Sequence, residues 1–123
     1  MIKKVFILLL SPVFLNTGYA RTIFKRVFDN IGNSTSVRQT TDGGYIIASA
    51  DSNAYLTKTD SNANITWSKK FGGSATDKFN CVEQTTDGGY IATGQTNSFG
   101  AGNYDVYLVK INATGDTLWT RCY

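Results

Sequence analysis

The chain has no histidine, one proline and two cysteines among its 123 residues. Without histidine, imidazole acid–base chemistry and histidine metal ligation are excluded. No run of like charge exceeds two residues, and the formal net charge is only +3. Lys3 and Lys4 lie in a leader-like segment, and setting them aside leaves ten basic residues against nine acidic ones. A near-neutral chain lacks the concentrated basic face that nucleic-acid binding needs. The longest apolar segment, Val5 to Leu15, is interrupted by Ser11 and Pro12 and falls short of the ~20 residues needed to span a bilayer. No nucleophile–base pair, metal set or phosphate loop stands out.

The first residues have the three parts of a secretory signal peptide. Met1 to Lys4 is basic, Val5 to Leu15 is apolar, and Asn16 to Ala20 is polar with small residues at Gly18 and Ala20. Cleavage after Ala20 is predicted, giving an exported chain from Arg21 with no membrane span. Segment 21–34 then reads as a leading strand, Thr22 to Phe28, and a loop.

The rest is a repeat. Gln39-Thr-Thr-Asp-Gly-Gly-Tyr45 returns unchanged as Gln84-Thr-Thr-Asp-Gly-Gly-Tyr90, an offset of 45 residues. From Tyr55 to Tyr107 and from Trp67 to Trp119 the offset is 52, so the extra seven residues fall in one loop. Asp-Gly-Gly between apolar runs is a hairpin signal, because a tight turn needs positive φ. Each repeat holds two such turns, which predicts four antiparallel strands over 35–77 with its linker, and four more over 78–123. Tyr45, Ile46 and Ile47 are apolar in succession, so the second strand is expected to be covered on both faces. Four-stranded units of this size stacked in series are the blades of a β-propeller. The expected class is therefore all-β, with two propeller blades and one N-terminal strand behind a signal peptide.

The motifs Gln84-Thr-Thr-Asp-Gly-Gly-Tyr-Ile91, Ser98-Phe-Gly-Ala-Gly102, Asp105-Val-Tyr-Leu-Val-Lys110 and Gly115-Asp-Thr-Leu-Trp119 resemble the blade repeat of secreted propeller proteins of Bacteroidota and some archaea. The resemblance implies a multi-blade secreted or cell-surface protein, often exported by the type IX pathway. The C-terminal sorting domain of such proteins is absent here, and Tyr123 falls where the repeat predicts the Gly-Gly that follows Phe71. Closed propellers have four to eight blades. A truncated reading frame, or further blades supplied in cis or by homo-oligomerisation, is the resulting expectation.

The chemistry-bearing residues read as structural. Asp42, Gly43 and Gly44, with Asp87, Gly88 and Gly89, are turn residues rather than catalytic carboxylates beside a loop. Asp60-x-Asn62-x-Asn64 opens like a calcium loop, but Ile65 stands where Gly is required, and a polar turn is expected. Cys81 and Cys122 fall on the first and last strands of one sheet, too far apart for a disulfide, which predicts two free thiols. Trp67 and Trp119 are candidate sugar-stacking residues, with packing between blades the favoured role. No catalytic residue, metal or cofactor is assigned. The expected function is a non-enzymatic binding or scaffold module whose partner is a protein or a glycan. The alternative is a carbohydrate-binding lectin assembled from two-blade subunits.

Overall fold

A computed structural model describes the backbone of Phe6–Ile7 and Lys25–Arg26 and, in full, residues 33–123. The two short segments, β1 (Phe6–Ile7) and β2 (Lys25–Arg26), form an antiparallel pair within a first unit, Met1–Asn30. The rest of the expected leader, and of the leading strand over Thr22 to Phe28, lies outside the described residues.

The second unit, Ile31–Tyr123, is all-β. Its first sheet is a meander of β3 (Asn33–Gln39), β4 (Tyr45–Ala50), β5 (Ala54–Thr59) and β6 (Ile65–Phe71). Its second is a meander of β7 (Asp77–Gln84), β8 (Tyr90–Thr96), β9 (Asp105–Ile111) and β10 (Thr117–Cys122). All six ladders are antiparallel. No helix among the described residues is long and apolar enough to cross a membrane.

Four of the six hairpin connections share one five-residue geometry. Thr40 N donates to Gly44 O and Gly43 N to Thr40 O, both at 2.9 Å, and Thr85 to Gly89 repeats this. Asp60 to Asn64 and Asn112 to Asp116 close by the same two bonds. The fourth residue of each takes positive φ: Gly43 and Gly88 at 81°, Gly115 at 85° and Ala63 at 58°. A turn followed by one left-handed residue is the usual way to close a three-residue hairpin loop. The glycine after it answers a different need. A Cβ on Gly44 would lie 2.1 Å from the Thr59 carbonyl oxygen, and one on Gly89 would lie 2.3 Å from that of Ile111. The neighbouring strand passes too close for any side chain there.

Register shows which residues share a face, since direct cross-strand partners point the same way. Ile46, Ala48, Leu56, Ala54, Trp67 and Phe71 make one face of the first sheet. Phe79, Val82, Tyr90, Ala92, Tyr107, Val109 and Ile111 make one face of the second. These two inward faces pack together into one core. Phe79 joins them, with its ring 5.6 Å from Phe71 and stacked 5.8 Å from Tyr107.

Coverage differs between the two second strands. In β4, Tyr45 to Ser49 are all buried. In β8, only Tyr90, Ala92 and Thr96 are buried, Ile91 and Gln95 are half-buried and Thr93 is exposed. The expectation of two covered faces therefore fails for β8, because the first sheet packs on one side of it only. The second sheet begins one residue before the expected 78–123 segment: β7 starts at Asp77, and β8 runs to Thr96 opposite it. The Asp77 carboxylate binds the Thr96 hydroxyl, which extends that ladder.

Two tests follow from this packing. Gly88→Ala should lower stability by about 1–2 kcal/mol through the left-handed backbone alone, since its Cβ meets open space. Gly89→Ala should cost more, because its Cβ meets backbone, and urea denaturation compares the two. Phe79→Ala, which empties a fully buried site, should cost about 3–5 kcal/mol by the same measurement.

Candidate functional site

The repeated turn holds the most strongly engaged charged groups. Asp42 Oδ1 accepts from the Thr40 hydroxyl at 2.5 Å and from Gly44 N at 2.9 Å, while Oδ2 accepts from Lys58 Nζ at 2.8 Å. Asp87 has the same partners one repeat on: the Thr85 hydroxyl, Gly89 N and Lys110 Nζ. The lysines are the buried members, with side chains 6% and 12% exposed against 62% and 57% for the aspartates. Each lysine also donates to a carbonyl, Thr59 O or Ile111 O. A buried ammonium without a partner is expensive, so each turn aspartate is what lets its lysine cross the sheet.

This accounts for the chemistry of the carboxylates. The Lys58 ammonium, then the Thr40 hydroxyl and Gly44 N–H, hold Asp42 well below the usual carboxylate range. The Thr85 hydroxyl, Lys110 and Gly89 N–H do the same for Asp87. Both are proton-poor anions engaged by their own turn, which suits a structural role and not a proton shuttle. Asp116 is lowered in the same direction by Lys69, Thr114 and Asn112.

The other sequence-predicted residues fall as follows. Asp60 Oδ1 accepts from Asn62 N and Asn64 N at 2.9 and 2.8 Å, closing its own turn. Among the described residues, no group of three or more His, Cys, Asp or Glu could hold a metal ion. Cys81 and Cys122 are free. They lie on opposite edge strands, Cys81 opposite Thr93 and Cys122 opposite Tyr107, and so on opposite faces. Burial, with Asp105 and Asp77 nearby, pushes the Cys122 thiol up, away from the reactive thiolate.

The two tryptophans part company. Trp67 packs edge-on to Tyr90 with ring centres 6.1 Å apart. Gly115 leaves the room, since a Cβ there would come within 3.2 Å of the indole. Trp119 stays 37% exposed, with the Arg121 guanidinium 5.8 Å from its ring centre. Around it on the outward face of the second sheet stand Val106 and Tyr123, 51% and 73% exposed. Val106 and Tyr123 are joined by two backbone hydrogen bonds, at 2.9 and 3.1 Å.

No protein-family model matches the chain, and no curated protein matches it.

Sequence reasoning missed the polar bonds between the sheets. Arg38 Nε donates to Glu83 at 2.5 Å, and Lys69 Nζ to Asp116 at 2.7 Å. Thr35 donates to Phe79 O at 2.7 Å, and Thr41 N to Gln84 Oε1 at 2.8 Å. A usable signal existed for some of them: Arg38 and Glu83 occupy one repeat position with opposite charge. The Asp77 cluster was also missed. Burial pushes that carboxyl up, but bonds from Thr96, Ser98 and Gly73 N–H outweigh it and hold it below the ordinary value.

The pH response has a definite sign. Asp42, Asp77, Asp87 and Asp116 all have folded-state pKa values below their unfolded ones. The stability they add is complete above about pH 4 and is lost as the pH falls toward the folded values. Urea midpoints should therefore hold steady from neutral pH to about pH 5 and drop steeply below pH 4. Asp42→Asn should flatten part of that drop. An unchanged midpoint down to pH 2.5 would refute the assignment.

Proposed function

We propose that the protein is a non-enzymatic, exported β-propeller repeat module acting as a binding or scaffold surface. The observation that carries this reading is the face-to-face stacking of two equivalent four-stranded meanders through Trp67, Phe71, Phe79 and Tyr90. Stacked equivalent meanders are what propeller blades are. The commitment of the turn aspartates to Lys58 and Lys110 supports a scaffold role, because the most regular polar groups in the chain serve its own hairpins. The commitment of Trp67 to Tyr90 favours packing over sugar stacking for the repeated tryptophans.

The leader pattern of residues 1–20 and the resemblance to secreted Bacteroidota propellers support a working site outside the cytoplasm, on the cell surface or in the medium. The partner in this reading is a protein. The lectin alternative requires the exposed Trp119 to stack on sugar.

Expression in a bacterium of that group, followed by fractionation and N-terminal sequencing, tests export. The expected product begins at Arg21 in the surface or medium fraction, and an unprocessed cytoplasmic chain would sink the exported reading. A glycan array with the purified chain should be blank. Glycan binding that Trp119→Ala abolishes, with the urea transition unchanged, would establish the lectin instead.

A further inference from the structure

The repeated turn puts an aspartate directly before a glycine twice, at Asp42-Gly43 and at Asp87-Gly88, and the sequence has no other Asp-Gly step. Asp-Gly is the dipeptide most prone to become isoaspartate, because glycine has no side chain to shield its nitrogen. The conversion needs no cofactor. The Gly43 nitrogen attacks Cγ of a protonated Asp42 carboxyl and gives up its proton, and the carboxyl hydroxyl leaves as water. The five-membered imide then takes up water. Addition at Cγ restores aspartate. Addition at the Asp42 main-chain carbonyl frees that carbon as a carboxylate and leaves the backbone running through Cγ. Asp42 and Asp87 are both exposed, so water reaches both sites.

We propose that the threonine and lysine around each turn form a lock that holds Asp42-Gly43 and Asp87-Gly88 against isoaspartate formation while the hairpins stand. A named bond opposes each requirement of the reaction. The nucleophile must lose its proton, but Gly43 N donates that proton to Thr40 O at 2.9 Å, as Gly88 N does to Thr85 O. The carboxyl must swing toward its own glycine nitrogen, but three donors hold Asp42 elsewhere: the Thr40 hydroxyl at 2.5 Å, Gly44 N at 2.9 Å and Lys58 Nζ at 2.8 Å. The Thr85 hydroxyl, Gly89 N and Lys110 Nζ hold Asp87 in the same way. The carboxyl must also be protonated, and these donors keep both groups below the usual carboxylate range. Each unit of lowering cuts the protonated fraction about tenfold.

The lysines make the lock firm. Their side chains are 6% and 12% exposed, and each also donates to a carbonyl, Thr59 O or Ile111 O. An ammonium that let go of its aspartate would be left unpaired inside the sheet, which is costly, whereas an exposed lysine would let go freely. Conversion would also damage the hairpin. An isoaspartate at position 42 adds one carbon to the main chain between Thr40 and Gly44. The bonds from Thr40 N to Gly44 O and from Gly43 N to Thr40 O need the ordinary spacing. A chain left unfolded therefore loses its turns one by one and with them its ability to refold. The inference goes beyond the proposed function: it rests on the turn geometry alone and holds whether or not the protein is exported.

Ageing of the full chain tests it. The chain is kept at about pH 5, where a free aspartate is still partly protonated, either folded or in concentrated urea. Trypsin then places the two Asp-Gly steps on separate peptides, and isoaspartate is measured by enzymatic methylation and by resistance to Asp-N protease. It should accumulate at positions 42 and 87 about tenfold or more slowly in the folded chain. Equal rates would overturn the proposal. Lys58→Met separates the lock from folding in general, because Asp87 in the same molecule is the control. Isoaspartate should rise about tenfold at position 42 and stay unchanged at position 87. Thr40→Val should give the same pattern, and it decides the matter if loss of the lysine opens the whole first sheet. A rise at both sites in both variants, or at neither site, would overturn the lock.

Discussion

Phe79 and the bulge beside it are what the rest of the second unit depends on. The β7–β8 ladder shifts register between Phe79 and Cys81. In a regular strand, residues 79 and 82 would point to opposite faces. The extra residue turns both Phe79 and Val82 inward, which is how bulges re-aim side chains. Both are fully buried, and Phe79 is the ring that touches aromatic partners in each sheet. The same shift occurs in β3, between Ser34 and Ser36. There the extra residue, Thr35, reaches across to the Phe79 carbonyl, so one irregularity in each sheet contributes to a single junction.

The ion pairs follow from that geometry. Arg38–Glu83 and Lys69–Asp116 sit on the surface, where screening and side-chain entropy leave little net energy. They fall at the inner and outer strands of the stack and so mark its alignment from edge to edge. Lys58–Asp42 and Lys110–Asp87 differ, because one member of each is largely buried. Here the aspartate satisfies an ammonium that would otherwise be stranded inside the sheet. That explains an aspartate in both copies of the turn, where Asn would also tolerate the backbone.

Much of the fold was legible because repetition and turn chemistry are local. Asp-Gly-Gly, the 45-residue offset and the insertion confined to one loop were enough to place eight strands in two meanders. The strand ends at Asp77 and Thr96 were not legible, since a carboxylate–hydroxyl bond between distant residues holds them together. Lys58 and Lys110 were hidden for a similar reason. Their reach to the turn aspartates depends on a strand passing within a carbonyl's width of Gly44 and Gly89. The separation of Trp67 from Trp119 needed the stack itself, because the two residues are equivalent by sequence and differ only in what lies against them.

The repeat also departs from itself at the position of Phe79. The second sheet pairs Phe79 with Gly94, a large ring opposite no side chain. The first pairs Ser34 with Ser49, two small polar residues. Ser49 is fully buried, and its hydroxyl finds no hydrogen-bond partner among the described residues. That face of the first sheet therefore has no equivalent of the Phe79 ring at its centre. The turn departs as well: Ala63 carries a Cβ where Gly115 leaves room for an indole, and Asn64 stands where Asp116 binds Lys69. At both the centre and the edge, then, the first sheet lacks the groups with which the second sheet receives Trp67, Lys69 and Phe71, so equivalence in sequence does not make the two sheets interchangeable.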